Sequence, residues 1–589
     1  MSIGIALRCR SFVFRPAGSH WTAVLILLLG AQVAAQGAQV SQGAETAAPP
    51  KAAPQPAAAL QADAAPQGAD LVRAYCSGCH HEGAGQFERI SNIRKTPEGW
   101  AMTLFRMRQV HGLQLEDGVR DSLVRFLADT QGLAPAEAAA GRFALEQRPN
   151  AKDLDVGAEI NGMCGRCHSL ARVSLQRRDE EEWRKLSNTH VGQWPSIEYS
   201  ASGRDRPWFQ IASGPLPAKL AALYPYSSTA WTAWQKHASA DLAGAWVIVG
   251  HVPGGKDFYG TARIDRAAGG DWQASYALTD IDGVAFSGGS KAIVYTGFEW
   301  RGSAELGTRT VREVYAVSED GNRIEGRWFD PDHAEEGGDW VAVREDGSAR
   351  ILALWPRAQR TGTASEVTIV GMGFDAKPAA GSKAALVSFG DGVLVSKVQR
   401  DAHTIRARIK VAAGAAPGQR MVAAGGVGTG TITGTSAATS SGAAGVAGAE
   451  AVKFAVYAQI DQADVVPSYA IARVGGGRLA PVSAQFEAMA ATRLPGGELL
   501  PLGPVAAEWT SAPFDAEAKR TEDEKFAGHF DKRGRFLPGG AGPNTAREYS
   551  GDNVGNLAVV AKAQDGDRAV EGHGHLIVTV QRWNTPPIY

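Results

Sequence analysis

The sequence predicts a multidomain chain in which an all-α domain precedes three all-β domains, an antiparallel barrel and then two immunoglobulin-like sandwiches. Three observations lead there. At 589 residues the chain exceeds what one hydrophobic core organises, so about three to five domains are expected. Apolar residues recur at helical spacing up to about Lys236, and short alternating runs broken by Gly and Asp follow from about His237. Two Cys-x-x-Cys-His segments fall inside the helical part.

Residues 1–35 read as a secretory signal peptide. Arg8, Arg10 and Arg15 form a positive n-region, the apolar run around Ala23 to Leu29 is too short for a bilayer, and Val33 and Ala35 suit cleavage near Ala35. The expected location is the periplasm. No later segment has the roughly 18 uninterrupted apolar residues of a membrane helix, so no membrane span is expected. Residues 36–66, rich in Ala, Pro and Gln, predict a disordered leader with little to bury. Lys plus Arg (60) and Asp plus Glu (61) nearly cancel, and no basic run interleaved with aromatics is present, which argues against nucleic acid as a partner.

The helical domain is expected over residues 67–236. Trp100, Leu104, Met107 and His111 share one helical face; Val119, Leu123, Val124, Phe126 and Leu127 share another, ending at Gly132. Of five cysteines, Cys9 leaves with the signal, and the other four lie in Cys76-Ser-Gly-Cys79-His80 and Cys164-Gly-Arg-Cys167-His168. Export invites a disulfide reading, and paired CxxC a zinc reading, but neither explains the histidine after each pair. Haem attachment does: two thiols three positions apart reach the porphyrin vinyl groups, and the next imidazole lies under the iron. The expectation is therefore a dihaem cytochrome c domain with two covalently bound haem c groups. Cys76, Cys79, Cys164 and Cys167 would carry the thioethers, and His80 and His168 would be proximal iron ligands.

The two motif segments form an internal repeat. Trp100 is followed seven positions later by Met107, and Trp183 seven positions later by His190, so Met107 and His190 occupy equivalent places. They are the expected sixth ligands, with Met102 and His111 as rivals to Met107. A His/Met iron would have a higher potential than a bis-His one, because thioether sulfur favours the reduced metal. His81 is expected to face solvent.

Segments such as AGAWVIVGHV, KAIVYTGFEWRG and DWVAVRED, with Asp-Gly and Gly-Gly turns, predict the antiparallel barrel over 237–356. SEVTIVGMGF, GVLVSKVQ and TIRARIKV suggest a sandwich over 357–458, carrying a flexible Gly-rich insertion near 423–449. A second sandwich is expected over 459–589. His573 and His575 share a strand face without an evident carboxylate or cysteine partner. Asp330, Asp332, His333, Glu335 and Glu336 form a polar loop that reads as solvated. No nucleophile with a recognisable base emerges, so no catalytic residue is expected on this chain.

The TPEGW segment beginning at Thr96, the THVGQWPSIEYSASGRDRPWF stretch from Thr189 to Phe209, the two CxxCH motifs and the trailing β domains together resemble the dihaem alpha subunit of quinohaemoprotein amine dehydrogenases. The resemblance spans essentially the whole mature chain; the long Ala/Pro leader and the Gly-rich insertion are unusual features. It implies a periplasmic heterotrimer with a small subunit bearing cysteine tryptophylquinone and a β-propeller subunit. In such a complex the small subunit oxidises a primary amine to aldehyde and ammonia. This chain would pass the electrons to azurin or a small cytochrome c, with one His/Met and one bis-His iron, in agreement with Met107 and His190. Two other readings stay open: a self-contained dihaem peroxidase-like enzyme, and a non-catalytic redox or binding protein.

Overall fold

The structure, a computed structural model, describes residues 68–142, 153–200, 203–375, 387–424, 452–476, 479–548 and 552–580. The expected signal peptide, the leader and residues 425–449 of the Gly-rich stretch lie outside these.

The N-terminal region carries helices α1 (Gly68–Cys76), α2 (Pro97–His111), α3 (Asp117–Thr130), α4 (Pro135–Ala138), α5 (Ala158–Ile160), α6 (Ala171–Ser174), α7 (Glu180–Gln193), α8 (Trp208–Ser213), α9 (Leu216–Leu223) and α10 (Thr229–Trp234). The expectation of an all-α domain is overturned. Strands β1 (Glu82–Gly83) and β2 (Gln86–Phe87) form a small hairpin, and β3 (Ile93–Lys95) pairs antiparallel with β4 (Gln176–Arg178). Helix is the minor component of the protein, 22% against 43% strand. The sequences of β3 and β4, IRK and QRR, are too short and too polar to show alternation, and their pairing joins segments far apart in the chain.

The β3–β4 ladder relates the two halves of this domain. Arg94 faces Arg177 at its centre, and each strand leads into a capped helix. Gly99 N donates to Thr96 Oγ1 at the start of α2, and Glu182 N donates to Asp179 Oδ1 at the start of α7. Each half has its own core. Leu71 and Val72 of α1, Trp100 and Leu104 of α2 and Leu123, Val124 and Leu127 of α3 form one. Ile160, Met163, Trp183, Trp208, Leu216 and Leu220 form the other.

Eight consecutive strands between Gly244 and Arg344 follow, each antiparallel to the next, and the last pairs with the first to close a barrel. Closure leaves no free edge. At the Asp280-Ile-Asp-Gly turn, Gly283 takes φ 90°, and Asp280 Oδ1 accepts from the N–H groups of Asp282 and Val284. Leu133, Ala138, Ala171 and Leu175 of the helical domain join the barrel's own core, so that domain sits on the barrel. Arg125 pairs with Asp271 at 2.7 Å, Arg301 pairs with Glu98, and Asp129 accepts from Thr296 N at 2.6 Å. Inside the barrel, Glu313 accepts from Tyr276 Oη (2.7 Å), Ser290 Oγ (2.5 Å) and Trp300 Nε1 (3.0 Å), and burial pushes its carboxyl up.

The remaining chain forms two β units. In the first, a four-stranded sheet containing Ala364–Met372 and Thr404–Val411 accompanies a three-stranded sheet containing Lys453–Tyr457, around Ile369, Phe374, Phe389, Ile405 and Phe454. In the second, a four-stranded sheet containing Gly555–Asp565 and Arg568–Val580 accompanies two three-stranded sheets, around Phe486, Phe536, Leu557 and Leu576. Among the described residues, no helix is long and apolar enough to cross a membrane.

Candidate haem-binding site

Each CxxCH motif is wound into a tight turn. Cys76 ends α1, and its carbonyl accepts from the N–H groups of Cys79 (3.1 Å) and His80 (2.9 Å). Cys164 lies in a π-helical turn, Asn161–Gly165, a rare geometry frequent at functional sites. Cys76 and Cys164 are half-buried and Cys79 and Cys167 exposed, and all four are free of disulfides. Burial, then the adjacent second cysteine, pushes the Cys76 and Cys164 thiols up to about 11.

Three of the four expected iron ligands have a defined tautomer. His80 Nδ1 donates to Glu88 O at 2.9 Å, His168 Nδ1 to Ser169 O at 2.9 Å, and His190 Nδ1 to Leu186 O at 2.8 Å. A carbonyl only accepts, so each Nδ1 carries the proton and each Nε2 keeps its lone pair. Burial, foremost, lowers the pKa of His168 and His190, which favours neutral imidazole. That is the form a metal binds.

The rings of His168 and His190 lie with centroids 6.3 Å apart and planes tilted by 32°. Two metal–imidazole bonds of about 2 Å on opposite sides, each continued by about 1 Å to the ring centre, give about 6 Å. The centroid spacing is thus the one that a metal shared by the two rings would need. Trp208 flanks His190 at 5.7 Å. In the other half, Met107 and its rival Met102 are both half-buried on α2, whereas His111 is exposed. His81 is exposed as expected.

The repeat is deeper than the spacing of Trp100 and Trp183 indicated. A constant offset of 83 positions carries Arg94 to Arg177, Lys95 to Arg178, Thr96 to Asp179, Trp100 to Trp183 and Met107 to His190. Lys95 lies over the Trp100 ring at 5.3 Å and Arg178 over Trp183 at 5.8 Å. Both central arginines reach Glu137 of α4. Arg94 donates to its two oxygens at 2.8 and 2.9 Å, Arg177 Nε to Oε1 at 3.3 Å, and Arg177 Nη2 to its backbone carbonyl at 2.9 Å. Ser228 Oγ and Ala134 N also donate to the carboxylate. Burial alone would push the Glu137 carboxyl up, but these hydrogen bonds and the Arg94 charge hold it at about 2. Sequence reasoning missed Glu137 and the arginine pair; reading the repeat back from Trp100 and Trp183 to the basic pairs before them would have exposed the arginines.

Two other polar groups resolve as contacts between domains or within one. In the 330–336 loop, Asp330 Oδ1 accepts from the N–H groups of Asp332 and His333, Glu335 from Ser483 N, and Glu336 pairs with Arg535. His575 Nε2 donates to Asn556 Oδ1 (2.6 Å) and its ring stacks on Phe514 at 3.8 Å, while His573 is exposed. Since Asn Oδ1 is an acceptor, His575 Nε2 carries a proton there.

Four family matches run along the chain in order. Residues 66–231 match "Quinohemoprotein amine dehydrogenase A, alpha subunit, haem binding". Residues 239–345, 348–432 and 463–588 match domains II, III and IV of the same alpha subunit. No curated protein matches the sequence. Among solved structures, a redesigned β-barrel, mFAP1, bound to DFHBI aligns with 18% of this chain and 94% of its own, at 15% identity and TM-score 0.16. A Bacteroides ovatus mixed-linkage glucan utilization protein, SGBP-B, in complex with a mixed-linkage heptasaccharide, aligns over 58% of this chain and 65% of its own, at 8% identity and TM-score 0.17. Likenesses this slight do not bear on function. With a haem-binding domain followed by domains II, III and IV in that order, the chain belongs to the quinohemoprotein amine dehydrogenase alpha-subunit family.

Proposed function

We propose that this chain is the dihaem electron-transfer subunit of a periplasmic amine dehydrogenase complex. Haem c supplies reversible one-electron chemistry when bound. Cys76 and Cys79 would attach one haem and Cys164 and Cys167 the other. His168 and His190 would hold the second iron, and His80 and Met107 the first. Met107 is favoured over Met102 because it lies thirteen positions after Arg94, as His190 lies thirteen after Arg177. The Nδ1 hydrogen bonds of the three histidines fix their rings in the orientation and tautomer that ligation needs.

Substrate chemistry is assigned to a partner. A small subunit with cysteine tryptophylquinone would oxidise the primary amine to aldehyde and ammonia, beside a β-propeller subunit, and azurin or a small cytochrome c would be the acceptor. Amine oxidation releases two electrons and such acceptors take one at a time, which suits a subunit with two one-electron sites.

The observation that carries this reading is the 6.3 Å separation of the His168 and His190 ring centroids within a chain that matches the alpha-subunit family along its length. The test is purification of the exported complex. A small quinone-staining polypeptide travelling with this chain is the expected result; peroxide-dependent turnover by this chain alone, with no such companion, would overturn it.

A further inference from the structure

The two halves of the haem-binding domain have separate cores, so a structure between the cores has to set how the halves stand to one another. Among the described residues, β3 and β4 are the only elements from opposite halves that pack extensively. Their ladder is short: Ile93 opposite Arg178, Arg94 opposite Arg177 and Lys95 opposite Gln176. A lone pair of short strands is marginal in water, and like charges directly opposite one another weaken it further. Arg94 and Arg177 are nevertheless only 1% and 5% exposed.

Glu137 resolves this conflict. Among the described residues it is the only carboxylate that pairs with either central arginine, and it pairs with both. Backbone carbonyls take the remaining guanidinium donors: Tyr226 O (2.7 Å) and Gly132 O (3.0 Å) from Arg94, Ser174 O (2.6 Å) and Gln176 O (2.9 Å) from Arg177. From this point the two ligand-bearing helices diverge. Arg94 leads through the Thr96 cap into α2 and Met107, and Arg177 leads through the Asp179 cap into α7 and His190. Ten helical steps separate Pro97 from Met107 and Glu180 from His190, about 15 Å along each axis, so a shift of either strand is carried to the ligand at the end of its helix.

We propose that Glu137 is a positioning residue for electron exchange between the two haems: by tying Arg94 to Arg177 it fixes the placement of α2 relative to α7, and with it the separation an electron must cross. The inference rests on the dihaem reading above. Tunnelling depends steeply on separation, so one fixed separation gives one exchange rate and a loosened ladder gives a spread of rates. Each haem keeps its own ligands in either case, so the individual potentials do not move.

The experiment compares the purified complex carrying wild-type chain, E137Q, E137D or, as a control inside the barrel, E313Q. Two haems per chain and two midpoint potentials establish the dihaem reading, independently of Glu137. With that satisfied, pulsed EPR of the oxidised protein should give one narrow interhaem separation for wild type, and exchange after flash photoreduction should follow a single phase. E137Q should keep both potentials while its separation broadens and its exchange spreads over several phases; E137D should restore part of the wild-type behaviour, and E313Q should match wild type. A narrow separation and single phase in E137Q would overturn the proposal, as would equal broadening in E137Q and E313Q. If E137Q fails to accumulate, R177K decides: lysine keeps the charge but cannot reach the Glu137 carboxylate and backbone carbonyl together, so broadening supports the proposal and wild-type behaviour refutes it.

Discussion

Replacing Glu137 by Gln removes the one negative charge between Arg94 and Arg177, at the centre of the ladder that joins the two halves of the haem-binding domain. The carboxylate side chain is only 7% exposed and accepts from two arginines, a serine hydroxyl and a backbone N–H. Its pKa falls from 4.5 to about 2, a difference worth about 3 kcal/mol. Breaking a buried ion pair by removing one partner costs about 3–5 kcal/mol, since the stranded charge stays buried. The two routes agree, so E137Q should destabilise this domain by about 3–5 kcal/mol. The protein has several domains, so the assay must report on this one alone: urea unfolding followed through the Soret band of the haem-loaded protein. The pH dependence follows from the depressed pKa. The stabilisation is complete above about pH 4.5 and is lost as pH falls through about 2, so the gap between wild type and E137Q should close over that window. A loss under about 1 kcal/mol at pH 7, or a gap that persists unchanged at pH 2, would refute the reasoning.

Other expectations follow from equally local contacts. His251 bridges the barrel and the last domain, with Asp257 on Nδ1 at 2.7 Å and Glu487 on Nε2 at 3.0 Å. Burial favours its neutral form, but these two carboxylates raise its pKa from 6.5 to about 10, worth about 5 kcal/mol. That contribution is complete below about pH 6.5 and lost as pH rises through about 10; melting curves of wild type and H251Q should converge over that range, and parallel curves would count against the clamp. Glu313→Ala strands three donors inside the barrel and should cost about 3–5 kcal/mol, with Glu313→Gln milder because an amide keeps one oxygen for Ser290 Oγ and Trp300 Nε1 while its N–H can donate to the Tyr276 hydroxyl; equal effects in thermal unfolding would contradict this. Met107→Ala should alter one spectral and potential component while the bis-His component keeps its values; native potentials at both haems would exclude Met107 as a ligand.

The two cysteine motifs, the histidines after them and the equivalence of Met107 with His190 were legible because each is a fixed spacing within a short stretch of sequence. The closed barrel was legible because alternating strands joined by Asp-Gly and Gly-Gly turns carry their pairing in consecutive sequence. The β3–β4 ladder was not. Its residues, Ile93–Lys95 and Gln176–Arg178, are mostly charged, and a rule that places apolar residues inside treats such runs as surface. They are buried beside a single carboxylate from a third segment, Glu137, which accepts hydrogen bonds from both central arginines, and no local pattern announces a partner some forty positions away from each.

The central claim is that each CxxCH motif carries one thioether-bound haem. Intact mass and haem-peptide analysis of the mature exported chain measures this directly. The account predicts two haem additions, one on the peptide with Cys76 and Cys79 and one on the peptide with Cys164 and Cys167; free thiols or a disulfide at either pair would contradict it.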